Sequence, residues 1–199
     1  MNDDRFDEQA GGNGRTGQKS LNRRGFLKFG IAAGVAGLLP ATAWARPNRA
    51  VESAREIAFY NTHTGEKLKL VYSTEGAYIP EALSEINYVL RDHYSDAVGE
   101  MDARVLDLLY ELKLKLRTRE PFHIISAYRS PETNARLAER SGGVAKRSLH
   151  MHGMAIDVRV PGRDLAQVRK AAVALQGGGV GYYRGPNFVH LDTGRVRYW

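Results

Sequence analysis

Apolar and polar residues alternate over residues 57–60 and again over 68–72, the period of a half-buried strand. Between them lies Asn61-Thr62-His63-Thr64-Gly65, a stretch of turn formers. The two segments predict a β-hairpin with His63 at its tip, as a turn residue rather than a ligand. The period then lengthens. Pro80 suits the first turn of a helix. Leu83, Ile86, Leu90 and Tyr94 recur at helical spacing, which carries His93 along as a surface or cap residue. A second helix is expected from Asp102, a good N-cap, with Val105, Leu108, Leu109, Leu112 and Leu116 on its inner face. Its tail, Leu112-Lys113-Leu114-Lys115-Leu116, fits a strand as well.

Residues 122–127 are rich in β-formers and predict a buried strand that delivers Tyr128-Arg129-Ser130 at its C-terminal end. Ser130 as cap and Pro131 at the first helical position open a helix to about Arg140. A basic, glycine-containing loop over 141–147 runs into His150. Residues 154–160 read as a strand, and Pro161-Gly162 turns the chain. Asp164 is placed to cap a helix carrying Leu165, Val168, Ala172 and Leu175, with Gly177-Gly178-Gly179 as its terminator. Residues 180–183 and 188–192 pair as a hairpin, and 195–199 add an edge strand. There are no internal repeats. The order predicts a single α+β domain over 46–199, a small, mainly antiparallel sheet with helices packed on one face.

Composition narrows the chemistry. The 199 residues include no cysteine, which excludes disulfides, thiolate metal sites and a cysteine nucleophile. The formal charge is +7, most of it beyond residue 45, a surface suited to an anionic polymer. No basic run with interleaved aromatics and no nucleic-acid motif is present, so nucleic acid is not the expected partner.

The candidate chemistry centres on Ser148-Leu149-His150-Met151-His152-Gly153-Met154-Ala155-Ile156-Asp157. His150 lies on the loop and Asp157 on the strand. Gly153 between them permits the tight turn that lets both side chains aim at one point. The strand over 188–192 contributes His190. Two histidines and one carboxylate, with a position left for water, make a common hydrolytic zinc site, and one Zn²⁺ on His150, Asp157 and His190 is expected. Arg129 is a candidate to stabilise developing negative charge or grip a substrate carboxylate, with a structural ion pair as the alternative. Asp192 shares a strand face with His190 and is either a general base or a residue that orients a ligand. His152 is a second candidate base or a substrate contact. Ser148 shapes the turn.

The pattern Ser-x-His-x-x-Gly-x-Ala-x-Asp with a downstream His-x-Asp resembles the zinc motif of the D-Ala-D-Ala peptidase and hedgehog-like superfamily. It resembles most its YcbK-like branch of periplasmic murein endopeptidases. The resemblance runs from about Ile57 to Trp199 and includes Ser126-Ala127-Tyr128-Arg129-Ser130 and His190-Leu191-Asp192-Thr193-Gly194. It implies the hedgehog-like architecture, peptidoglycan stem peptides as substrate, and cleavage at meso-diaminopimelate. A D,D- or L,D-carboxypeptidase and a non-catalytic zinc-containing wall-binding module are the alternatives. One departure bears on mechanism. Related peptidases carry a glutamate three residues before the last histidine, or a histidine two before it; here Asn187 and Phe188 stand there.

The N-terminus has its own logic. Residues 1–20 are polar and expected to be disordered. Asn22-Arg23-Arg24-Gly25-Phe26-Leu27-Lys28 resembles a twin-arginine export signal, and a short apolar stretch and Ala43-Trp44-Ala45 follow. Residues 1–45 are therefore expected to be a signal read by the twin-arginine translocase and cleaved after Ala45, giving a periplasmic protein without a permanent membrane anchor.

Overall fold

The computed structural model describes residues 54–140 and 144–199; the export signal expected over 1–45 lies outside them. The hairpin forms from β1 (Ala54–Asn61) and β2 (Lys67–Thr74), with Phe59 opposite Leu68. Asn61 builds its turn: the Oδ1 accepts from the N–H groups of His63 and Thr64. A short strand not anticipated from the pattern, β3 (Ala77–Tyr78), extends the sheet beside β2.

Helix α1 (Pro80–Val89) starts at Pro80 as expected but stops one turn early, with Leu90 as its C-cap. Tyr94 is exposed rather than part of the stripe, and His93 is off the helix. The cause is Asp92. Its buried carboxylate accepts from the backbone and hydroxyl of Ser130, from the hydroxyl of Ser95 and from the Tyr94 N–H, which pins a turn where the helix would have run on. His93 instead stacks face to face on His63, with ring centroids 3.7 Å apart.

Helix α2 (Ala103–Leu116) has its expected cap, Asp102 accepting from Arg104 N–H at 3.0 Å. The alternating Leu-Lys tail is helical, with Leu112 buried and Leu114 exposed. The helical stripe from Val105 decides it, since only that period keeps Leu109 and Leu112 both in the core. After β4 (Phe122–Ser126), α3 (Pro131–Arg140) is capped by Ser130 Oγ, which accepts from Thr133 N–H. Then come β5 (Ala155–Arg159), α4 (Leu165–Val173), β6 (Gly179–Tyr183), β7 (Phe188–Asp192) and β8 (Arg197–Tyr198). Asp164 occupies the N-cap position of α4 without a side-chain cap bond, and the helix ends at Val173, short of the glycines.

The strands form one eight-stranded sheet in the order β3-β2-β1-β4-β5-β7-β6-β8. Only β1/β4 and β6/β8 run parallel, so the expected α+β, mainly antiparallel fold stands. Helices α1, α2 and α4 pack on the sheet around a core that includes Ile57, Phe59, Ile86, Leu109 and Val168. Among the described residues no helix is long and apolar enough to cross a membrane. The central strands β4, β5 and β7 carry the site.

Candidate metal centre

Antiparallel pairing of β5 with β7 puts Asp157 directly opposite His190. The third residue arrives from a 3₁₀ turn, Leu149–His152, which Ser148 caps by accepting from His150 N–H. Gly153 ends that turn at φ +64°. A Cβ there would collide with the Glu100 carbonyl, so the turn needs a glycine twice over, for conformation and for space.

His150, Asp157 and His190 are all buried and offer one ligand atom each within 4.8 Å of one another. His150 Nε2 lies 3.3 Å from His190 Nδ1 and 3.4 Å from Asp157 Oδ2, and His190 Nδ1 lies 2.8 Å from Asp157 Oδ1. Tetrahedral bonds of about 2.0–2.1 Å place ligand atoms roughly 3.3 Å apart, so the triangle fits a small divalent ion. The outward ring nitrogens are fixed as well. His150 Nδ1 donates to the Ala127 carbonyl at 2.7 Å, and His190 Nε2 faces Asp192 Oδ2 at 3.1 Å. Such outer partners set the tautomer and leave Nε2 of His150 and Nδ1 of His190 for the ion.

Asp192 is 0% exposed. Its carboxylate accepts from both terminal nitrogens of Arg197 (2.9 and 2.7 Å), from Gly179 N–H and Gly194 N–H, and faces His190. Burial alone would raise its pKa; the bonds from His190, Arg197 and the two backbone groups outweigh it and hold the carboxyl well below its usual range. The triple glycine read as a helix stop serves this residue instead. A Cβ on Gly178 would strike the Asp192 carbonyl, and one on Gly179 the Asp192 carboxylate and Arg197.

Beside the cluster opens a cavity of about 260 Å³, lined among others by Arg129, Arg147, Tyr183, Phe188 and Trp199. Arg129 lies in its lining, held by Ser126 Oγ and Asn134 Oδ1 rather than by a carboxylate. Phe188 stacks on Tyr183, centroids 4.6 Å apart, and Trp199 Nε1 donates to the Tyr183 hydroxyl. Asn187 is exposed in the β6–β7 turn. His152 is exposed and is not among the residues lining the cavity. Among the described residues Asp157 is the one carboxylate in that lining. Sequence reasoning missed Arg197, Arg147, Asn134 and the aromatic wall. None has a local signal: Arg197 meets Asp192, Asn134 meets Arg129 and Phe188 meets Tyr183 at a spacing of five residues, which neither a strand nor a helix period singles out.

Protons compete with an ion for this cluster. Burial lowers the His190 pKa, but hydrogen bonds to Asp157 and Asp192 on opposite ring nitrogens, and the charges of both, carry it up to about 9. Two acceptor partners require both ring nitrogens to be protonated. A pKa raised from 6.5 stabilises the chelator-stripped fold fully below pH 6.5, and that stabilisation is lost as pH rises through about 9. Metal entry must displace the same proton. Calorimetric zinc titration of stripped protein at pH 7.5, in buffers of different ionisation enthalpy, is expected to show about one proton released per ion. Affinity is expected to rise about tenfold per pH unit and level off near pH 9. No proton release would mean that His190 is neutral in the stripped protein.

An α+β sheet gathers two histidines and an aspartate at its centre, beside an arginine-lined cavity, as a candidate metal site. The sequence matches the family described as "Peptidoglycan L,D-endopeptidase MepK" over residues 49–199, and the chain belongs to that family. It is 42% identical over 178 residues to the Peptidoglycan L,D-endopeptidase MepK of Escherichia coli (strain K12), covering 89% of this chain and 97% of that protein. It is 38% identical over 180 residues to the "Probable peptidoglycan L,D-endopeptidase MepK" of Haemophilus influenzae, covering 89% and 95%.

Proposed function

We propose that this chain is a zinc-dependent murein endopeptidase that hydrolyses peptide cross-links of peptidoglycan at meso-diaminopimelate. The observation that carries the reading is the buried His150–Asp157–His190 triangle, its ring nitrogens already turned to one point, in a chain belonging to an endopeptidase family. Two imidazoles and one carboxylate, with a fourth position open to a cavity, are the donor set of catalytic zinc. When bound, the ion acts as a Lewis acid that lowers the pKa of water from about 15.7 towards about 7 and polarises the scissile carbonyl.

The chain's own groups do the rest. Arg129, fixed by neutral partners, keeps its positive charge free for the oxyanion. Asp192 fits the orienting role better than that of base. A carboxylate with no exposed surface, an arginine on both oxygens and a strongly lowered pKa is a poor proton acceptor at neutral pH. It fixes the His190 ring and holds the Nε2 proton. His152, outside the cavity lining, is better placed to meet the substrate's periphery than the reacting bond. Tyr183, Phe188 and Trp199 give one side of the cavity an aromatic wall.

The test is digestion of purified sacculi with and without a chelator. Chelator-sensitive loss of cross-links is expected. Release of only terminal D-amino acids would make the protein a carboxypeptidase, and wall binding without any cleavage would make it a binding module. We further propose periplasmic delivery by the twin-arginine route, resting on Arg23-Arg24-Gly25-Phe26-Leu27-Lys28. Changing both arginines to lysine is expected to strand the protein in the cytoplasm, and normal delivery of that variant would exclude the route.

A further inference from the structure

The charges around the cavity do not balance. Among the described residues three guanidinium groups line it, from Arg129, Arg147 and Arg197. Arg197 is neutralised by Asp192 at 2.7 Å. Among the described residues the Arg129 guanidinium bonds only to the neutral groups of Ser126 and Asn134. Arg147 is exposed and has no ion-pair partner among the described residues. The sole carboxylate in the lining among the described residues, Asp157, is committed to His150 and His190. A bound divalent ion would deepen the positive field.

One buried residue ties the two uncompensated arginines together. Asn134 is 1% exposed. Its Oδ1 accepts from Arg129 at 3.2 Å, while its Nδ2 donates to the carbonyls of Ala145 at 3.1 Å and Lys146 at 3.4 Å, immediately before Arg147. The chain then runs through Ser148, the cap of the turn that presents His150. Arg147 is thus held three residues from a metal-ligand histidine by the side chain that also anchors Arg129. Uncompensated guanidinium forks attract a carboxylate, and can bind it bidentately. In the same lining, Tyr183, Phe188 and Trp199 provide apolar surface for an aliphatic stem.

We propose that Arg147 is a specificity-determining residue that selects peptides carrying a free carboxylate beside the scissile bond. This rests on the peptidase reading above. Arg129 serves the reacting carbonyl, and Arg147 reads the neighbouring carboxylate. The same bond flanked by a carboxamide forfeits the charge-assisted contact and leaves the guanidinium unpaired.

The experiment uses two cross-linked peptides that differ only in that group, carboxylate or carboxamide, with wild type and Arg147→Gln. Wild type is expected to prefer the carboxylate by about 10- to 100-fold in kcat/KM, the range of a charge-assisted hydrogen bond. Arg147→Gln is expected to bring the ratio close to one while zinc content and Tm stay at wild-type values. Both peptides are also titrated calorimetrically into chelator-stripped protein, where the same preference is expected in wild type and its loss in the variant. Equal handling of the two peptides by wild type, or full preference retained by Arg147→Gln, overturns the proposal while the peptidase reading stands. Failure of wild type to cleave or bind either peptide overturns both.

Discussion

Asp157→Ala is expected to reduce zinc from about one ion per chain to almost none and cleavage of cross-linked muropeptides to background. Asp157 is the only anionic member of the triangle and stands within 3.4 Å of both imidazoles. Removing it takes away the charge that offsets part of the ion's, and the contact that places His190 Nδ1. The carboxylate also matters without metal. Burial raises its pKa, and His150 and His190 more than reverse this, holding it well below the usual carboxylate range. The variant therefore loses native-state pairing as well, and circular dichroism must accompany the metal analysis. Asp157→Asn, which keeps the shape and removes only the charge, is expected to fold and still to hold little zinc. Wild-type metal content and cleavage in both variants would remove Asp157 from the ligand set.

Asp192→Asn separates positioning from proton transfer. If Asp192 orients His190, zinc affinity is expected to fall roughly 10- to 100-fold, and saturating zinc is expected to restore most of the cleavage. If Asp192 were the base, zinc would remain bound and the rate would fall by about 10²–10⁴, with no rescue by added metal. The surroundings favour the first outcome, because Arg197 and two backbone N–H groups saturate the carboxylate. Arg197→Gln is a useful companion, expected to weaken zinc binding in the same direction. Loss of cleavage by Asp192→Asn that persists under saturating zinc, with metal content intact, would return Asp192 to the role of base.

Much of the fold was legible because it rests on local rules. The first hairpin, Pro80 at a helix start, Asp102 as a cap and the β6–β7 hairpin each follow from turn chemistry or a short period. The errors fall where a distant contact overrides the local period. Helix α1 stops early because Asp92 binds Ser130, 38 residues away. Gly178 and Gly179 matter because they clear space for Asp192, not because they end a helix.

The candidate site divides along the same line. The sequence by itself picked out the candidate donor set, since His150, Gly153 and Asp157 lie within one short segment and His190 on an alternating strand. The family resemblance was legible there too. Only the tertiary structure decided what each group can do. Strand register set Asp157 against His190, and Arg197 pairs with the buried Asp192 carboxylate, which favours the orienting role proposed for it. Asn134 brought Arg129 and the loop of Arg147 to one cavity. The physical reason is range. Donor identity and backbone turns are properties of neighbours in sequence. Protonation, uncompensated charge and ring orientation depend on burial and on partners that only folding brings within about 3 Å.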